Sequence, residues 1–442
     1  MRIRLPFFRK KEKKEKTEEK PVYVFDDSLS ANSLANRAYC HIEELSQIGP
    51  RKAGSVSSRM AANNIAAKLE EHSGDVSVMP LSIDSSSMLI WPKVVALLIP
   101  LSVVFLFVGL PYIALIPEIM AFVLIYLAGI EGKAVFSRFI KKSDGENVRA
   151  RIEAETEEAR RVVITAHHDS AVLYRRKEHA LDLYIPLLSI SFIFILTLFL
   201  LLHEGLSNNL LSLNLPSVFP LIFILISAVL SALSLRLFSI FSTDVSPGCG
   251  DNLPGVGVLI SLAEYFSKRR LKRVSLDFIS FDAEEFGCQG SQDYFSKNRY
   301  PEGTIVINID GLYSADKLSI LLSDGNGLVP LSEKLALSLA SMAKGMGYKM
   351  KSGRLSLFSG STDARSAARC GLSATCITGM APGDADYAHS TDDTVDKIGL
   401  DALEAVIALI IKYVESLDGK VSPTEESHES LLAGKKYRLS LY

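Results

Sequence analysis

Residues 161–170 read RVVITAHHDS, a short β-branched run that ends abruptly in His167, His168 and Asp169. RVSLDFISFDAEE (273–285) repeats the design and ends in Glu284 and Glu285, and GTIVINIDG (303–311) repeats it again with Asp310. Each reads as a buried strand with a polar end. Side chains alternate across a strand, so His167 and Asp169 project to one face and His168 to the other. Between and after these runs come helical patterns: PGVGVLISLAEYFSKR (254–269), opened by Pro and Gly and closed by a basic turn, and the amphipathic LDALEAVIALIIKYVESL (400–417). Residues 29–72 also carry helical spacing, broken at IGPRKAGS (48–55). VRARIEAE (148–155) alternates like a strand, and SATCITGM (373–380) is a further apolar run. Strands alternating with helices imply a mostly parallel or mixed sheet covered on both faces. In such sheets ligands gather beyond the carboxyl ends of the strands, where the His and acidic residues stand here.

The rest of the chain has a different character. Of 442 residues 48% are hydrophobic and only 22% charged, with Lys plus Arg 48 against Asp plus Glu 50. The mean hydropathy is +0.22. So apolar a balance excludes a disordered protein. The near-zero net charge removes the electrostatic reason to expect a nucleic-acid partner. Five cysteines without close pairs make neither a disulfide scaffold nor a zinc knuckle.

About 20 helical residues cross a bilayer, and two regions are long enough to do so twice. The first, residues 88–133, is uncharged from Val94 to Pro117 and, after Glu118, apolar again to Ile130. Gly109, Leu110 and Pro111 mark its turn. The second holds uncharged runs Leu183–Leu202 and Leu215–Leu235 around the polar link HEGLSNNLLSLN (203–214). A cleaved signal peptide does not explain apolar runs that begin so far into the chain. Both regions therefore read as transmembrane hairpins with the lipid bilayer as partner. Lys and Arg crowd the N-terminus, residues 133–142 and residues 175–177, and neither hairpin tip has any. By the positive-inside rule the soluble part and both termini face the cytoplasm. The expected division is a basic disordered tail over 1–21, α/β-domain segments at 22–87, 132–182 and 237–418, hairpins at 88–131 and 183–236, and a C-terminal tail over 419–442.

Imidazoles mixed with carboxylates, without a thiolate cluster, favour zinc or a similar divalent ion. Beside the strand ends already named stand Asp251 in GCGDNLPGVG (248–257) and His389 in YAHSTDDTVDKI (387–398). Two neighbouring glutamates can divide the work, one binding metal and one taking a proton from water. Asp169 is placed to hold the far ring nitrogen of His167. Each motif alone has a bland reading: a solvated Glu pair, an Asp that caps a helix, a small buried cysteine at Cys249.

Taken in order, these strings resemble metallopeptidase family twenty-eight, the co-catalytic zinc exopeptidases, over about residues 34–416. LSQIGPRKAGSVSSRMAANNIAAKLEE (45–71) resembles that family's opening helices. The resemblance implies an α/β fold of three αβα layers with a mixed sheet, interrupted here by the two hairpins. It implies two Zn²⁺ or other divalent ions, with His167 and Asp310 on one, Glu285 and His389 on the other, and Asp251 bridging. Glu284 would be the general base and Asp169 the partner of His167. The peptide after the bridging Asp is often cis in the family. The sequence departs from the pattern around Cys249 and at Tyr387, which stands one residue further from the last His than the family's oxyanion-stabilising Tyr. Asp363 in GSTDARSAARCG (360–371) matches a loop that shapes the substrate pocket.

The implied activity is that of a membrane-anchored aminopeptidase acting on a peptide substrate. The alternatives are a catalytically silent scaffold or receptor, or a cyclase-like transferase that uses one zinc. A transporter is disfavoured, because the spans hold almost no polar residues and no paired helix breaks.

Overall fold

Ser30 and Ser55 each accept a hydrogen bond from the backbone N–H three residues on, which starts α1 (Ala31–Ser46) and α2 (Val56–Glu70). In the computed structural model the described residues are 29–176, 179–207, 218–380 and 387–419. The tail expected at 1–21, the second hairpin's tip from residue 208, and the C-terminal tail beyond residue 419 lie outside them.

After α2 the chain forms β1 (Asp75–Ile83), leaves as α3 (Ser87–Phe107) and α4 (Pro111–Leu124), extends through a π-helical turn at Ile125–Ile130, and returns as β2 (Ser143–Ile152). β3 (Arg160–His167) and β4 (Val172–Tyr174) follow, then α5 (His179–Ser207), α6 (Val218–Ser234) with a 3₁₀ turn at Leu235–Ser239, and β5 (Phe241–Val245). The remainder alternates: α7 (Leu253–Lys268), β6 (Val274–Phe281), α8 (Gln289–Lys297), β7 (Ile305–Asp310), β8 (Ser319–Asp324), β9 (Val329–Pro330), α9 (Glu333–Gly345), β10 (Lys351–Arg354), α10 (Ala364–Arg369), β11 (Ser373–Thr378) and α11 (Leu400–Asp418).

The main sheet runs β1-β2-β6-β3-β7-β11-β8-β10, with β9 paired to β8. β6, β3, β7 and β11 are parallel neighbours, while β1, β2 and β8 add antiparallel pairs, so the sheet is mixed. Alternation along β3 sends Val162, Ile164 and Ala166 into a core shared with α1, α2, α7 and α11, and Val163 into a second core beneath α8 and α10. The fold is the expected three-layer α/β one.

Both hairpins grow from paired strand ends. Ile83 of β1 faces Ser143 of β2, and Tyr174 of β4 faces Phe241 of β5, the latter pair forming a ribbon of its own. An insertion whose ends already adjoin costs the sheet no register. The tip Gly109 has φ +76 and Pro111 opens α4, so the turn falls at the expected residues. Four helical stretches are long and apolar enough to cross a membrane: Ser87–Phe107, Pro111–Ile130, Ala180–Leu202 and Leu221–Ser239. Trp91, Val95, Ile99, Ala121 and Ile190 pack among themselves, while Leu97, Val104, Phe107 and Ile116 face outward. Glu118 turns inward, where its Oε1 accepts a hydrogen bond from Thr197 of α5 at 2.6 Å. A carboxyl among spanning helices belongs inside the bundle, away from lipid.

Candidate metal centre

The carboxyl ends of β3, β6 and β7 bring His167, the Glu284–Glu285 loop and Asp310 to one edge of the sheet. Asp251 arrives from the loop before α7 and His389 from the loop before α11. Asp251 lies between the histidines. Its Oδ1 is 3.2 Å from His167 Nε2 and its Oδ2 is 3.3 Å from His389 Nε2. Asp310 Oδ1 stands 3.3 Å from His167 Nε2, and Glu285 Oε2 stands 3.1 Å from His389 Nε2. The same carboxylate thus serves two separate imidazole–carboxylate pairs. The peptide between Asp251 and Asn252 is cis.

The two halves differ in access. The His167 side chain is 1% exposed and that of His389 30%, so the pit opens toward His389. Tyr174 stacks on the His389 ring with centroids 5.6 Å apart. Glu284 Oε2 lies 3.9 Å from His167 Nε2, and Cys288 donates its S–H to the other oxygen at 3.3 Å. Ala283, Cys288 and His389 all have φ near +60, the left-handed region that non-glycine residues seldom occupy. The surrounding structure must hold them there.

Burial opposes charge on both histidines, yet the carboxylates outweigh it. Asp169, Asp251 and Asp310 hold His167 well above its ordinary value, and Glu285 with Asp251 does the same for His389. Burial also drives Glu284 well up, raises Glu285, and pushes Asp310 up to about 6. Asp251 alone falls below the carboxylate range, because both histidines overcome its burial. So many buried carboxylates around two imidazoles leave the pit short of positive charge.

These residues fit zinc. Tetrahedral zinc with bonds of about 2.0–2.1 Å sets neighbouring donor atoms about 3.3 Å apart, which matches the spacings around both histidines. His167, Asp251 and Glu285 can also bring one donor atom each within 4.8 Å of the others. Glu285 Oε1 is buried without a hydrogen bond.

Asp169 sits behind this group. Its Oδ1 is 3.4 Å from His167 Nδ1, and its two oxygens accept the backbone N–H groups of Glu284 and Glu285 at 3.1 and 3.2 Å. His168 points elsewhere, to Ser280 Oγ at 2.8 Å, and burial drives its pKa down to about 3. Cys249 lies in the helical-face core, with its thiol pushed up to about 11 chiefly by burial. Asp363 stands at the N-terminus of α10 without capping it; it is fully buried, neither oxygen hydrogen-bonded, and burial raises it to about 7. Tyr387 packs on Tyr313 at 6.0 Å, beside the segment 381–386 that lies outside the described residues.

Two supporting residues carry no clear mark in the sequence. Asp393 accepts the N–H of Gly250 at 2.7 Å, the N–H of Asp251 at 3.3 Å and the hydroxyl of Tyr313 at 3.1 Å, which orients the loop that carries Asp251. It lies in the acidic string just after His389, the one signal that pointed to it. Arg51, fully buried, donates to the carbonyls of His168, Gly49, Pro247 and Gly248, and so ties the β3 end to that same loop. The hairpins also reach the site's loops. Arg365 donates to Glu131 O at the end of the first hairpin and to Gly287 O beside the glutamate pair, at 3.3 and 3.1 Å. A Cβ on Gly287 would lie 2.3 Å from Gly132 O, so the close approach requires glycine. Tyr184 of the second hairpin donates to Leu357 O at 2.7 Å.

A model of peptidase family M28 matches residues 240–414. A search of curated proteins gives no match. Among solved structures, the chain is similar to a glutaminyl cyclase from Tannerella forsythia, with 15% identity, 86% of this chain and 98% of that one covered, and a TM-score of 0.52. It is similar to a Zn-dependent exopeptidase from Parabacteroides distasonis, with 14% identity, 86% and 97% covered, and a TM-score of 0.50. It is also similar to an aminopeptidase from Aneurinibacillus, with 16% identity, 85% and 92% covered, and a TM-score of 0.50. At these identities the likeness is one of fold.

Proposed function

We propose that the chain, whose residues 240–414 match a model of peptidase family M28, is a membrane-anchored, zinc-dependent exopeptidase that releases N-terminal residues from peptides. The observation that carries this reading is Asp251, with one oxygen toward each histidine, an arrangement suited to two metal ions sharing a carboxylate. His167 and Asp310 would hold one ion, His389 and Glu285 the other. Zinc at this place supplies a Lewis acid that polarises the scissile carbonyl and makes a water easier to deprotonate.

The residues supply the rest. Glu284, buried and poised beside the His167 pair, takes the proton from the attacking water and returns it to the leaving amine. Cys288 holds one Glu284 oxygen, which leaves the other free for that transfer. Asp169 fixes the His167 ring and the Glu284 backbone together. Asp363 and Tyr387 would border the substrate. The spans anchor this domain with its soluble side toward the cytoplasm. Cytoplasmic-side labelling of a cysteine placed at Asn208 would reverse that orientation.

The test measures metal content and release of N-terminal residues from a peptide panel, for wild type and Glu284→Ala. The expected variant keeps its metal and loses about 10²–10⁴ in kcat/KM. Full activity in the variant would rule the mechanism out. The fold shared with a glutaminyl cyclase gives the second reading, which one metal per chain and cyclisation of N-terminal glutamine would favour.

A further inference from the structure

A second cavity, of about 400 Å³, lies away from the metal centre and contains none of its residues. Its wall is assembled from the start of α3, the end of the 3₁₀ turn after α6, β5 and the loop after α1. It therefore sits level with the ends of two of the helices long and apolar enough to cross a membrane. Lys52, Lys93 and Arg175 converge on it, over an apolar floor that includes Leu237, Phe238 and Phe241.

None of these three cations forms an ion pair with a carboxylate among the described residues. Lys93 Nζ lies 6.0 Å from the Phe238 ring centroid and Lys52 Nζ 5.8 Å from that of Phe286. Arg175 is exposed and bonds the fold through its backbone N–H, to Ile240 O at 2.8 Å. Three cations without carboxylate partners around one cavity favour an anion there. The apolar floor at membrane level selects an anion that carries acyl chains.

We propose that this cavity binds the phosphate headgroup of an anionic membrane lipid, in the leaflet on the soluble domain's side. The three cations meet the phosphate, and the first methylenes of the acyl chains lie along Leu237 and Phe238. The position gives the lipid a structural role. Phe241 stacks on Tyr174 at 5.3 Å, and Tyr174 stacks on His389, so the headgroup lies beside the ribbon that braces the open half of the metal centre. The assignment rests on the membrane-anchored part of the proposed function and not on the peptidase part.

Native mass spectrometry of the full-length protein in detergent tests it, with phosphatidylglycerol or phosphatidylcholine added. Wild type is expected to retain one phosphatidylglycerol per chain under conditions that strip phosphatidylcholine. Each of Lys52→Gln, Lys93→Gln and Arg175→Gln should weaken retention about fivefold, and all three together on the order of 100-fold. Millimolar inorganic phosphate should leave the lipid in place. Equal retention of both lipids, or a triple variant that retains phosphatidylglycerol like wild type, overturns the proposal. Displacement by inorganic phosphate also overturns it, and marks a site for soluble phosphate instead. The headgroup comparison uses wild type alone, so it stands even if the triple variant misfolds.

Discussion

The hairpins and the α/β domain both bury carboxyl groups, and they do it in opposite ways. In the hairpins Glu118 lies among apolar helices and takes one hydroxyl from Thr197. In the α/β domain Asp169, Asp251, Glu284, Glu285 and Asp310 crowd one pit with His167 and His389. A single carboxyl can be held inside a bundle by a neighbouring hydroxyl, whereas a cluster at the same depth needs a cation. The first is an internal fastening between two spans. The second has the charge balance of a metal centre.

Metal removal should separate the two regions most sharply. With zinc at about 1,000-fold above its Kd, chelation should remove roughly 4 kcal/mol of stability from the α/β domain. Hydrogen exchange should then quicken in β3, β7 and α7 and stay unchanged in α3 to α6. Equal loosening of both regions would break the distinction.

Asp393→Asn should weaken metal affinity by about 10–100-fold, the usual scale for residues that orient ligands. Titration with zinc under a competing chelator reads this directly, and unchanged affinity would mean that Asp393 supports only the loop. In the hairpins, Thr197→Val strands the Glu118 carboxyl. It should cost about 1–2 kcal/mol of stability in detergent and leave kcat/KM intact. A loss of activity larger than the loss of folded protein would tie the bundle to the chemistry.

The smallest expected effect concerns pH. Burial, with Lys68 nearby, lowers His41 from 6.5 to about 4. Between those values the unfolded chain binds a proton that the folded chain refuses, so stability falls as the pH drops from about 6.5 to about 4. Because His41 is partly solvated, the loss should be on the order of 1 kcal/mol. His41→Gln should flatten this slope in acid denaturation. An unchanged slope would show that His41 does not set it.

Much of the fold was legible because its central strands are buried on both faces and read as unbroken apolar runs. β3, β6, β7 and β11, with α7 and α11, lie where the patterns placed them. β1 was not legible: its apolar residues, Val76, Val78, Met79, Pro80, Leu81 and Ile83, keep no strict alternation along an edge strand with a mixed burial pattern. The ribbon of β4 and β5 is too short to show a period. The weak pairing of β8, β9 and β10 at the other edge escaped notice for the same reasons.

By itself, the sequence determined which residue types stand at strand ends, and that two long apolar hairpins interrupt an α/β chain, since both depend on local composition and period. Only the tertiary structure decided that Asp251 turns one oxygen to each histidine, that Asp393 and Arg51 set the loop carrying it, and that each hairpin springs from a paired strand end. It also gathered Lys52, Lys93 and Arg175 around one cavity. These facts depend on distances between residues far apart in the chain, and such distances are fixed only when the sheet forms and its cores close.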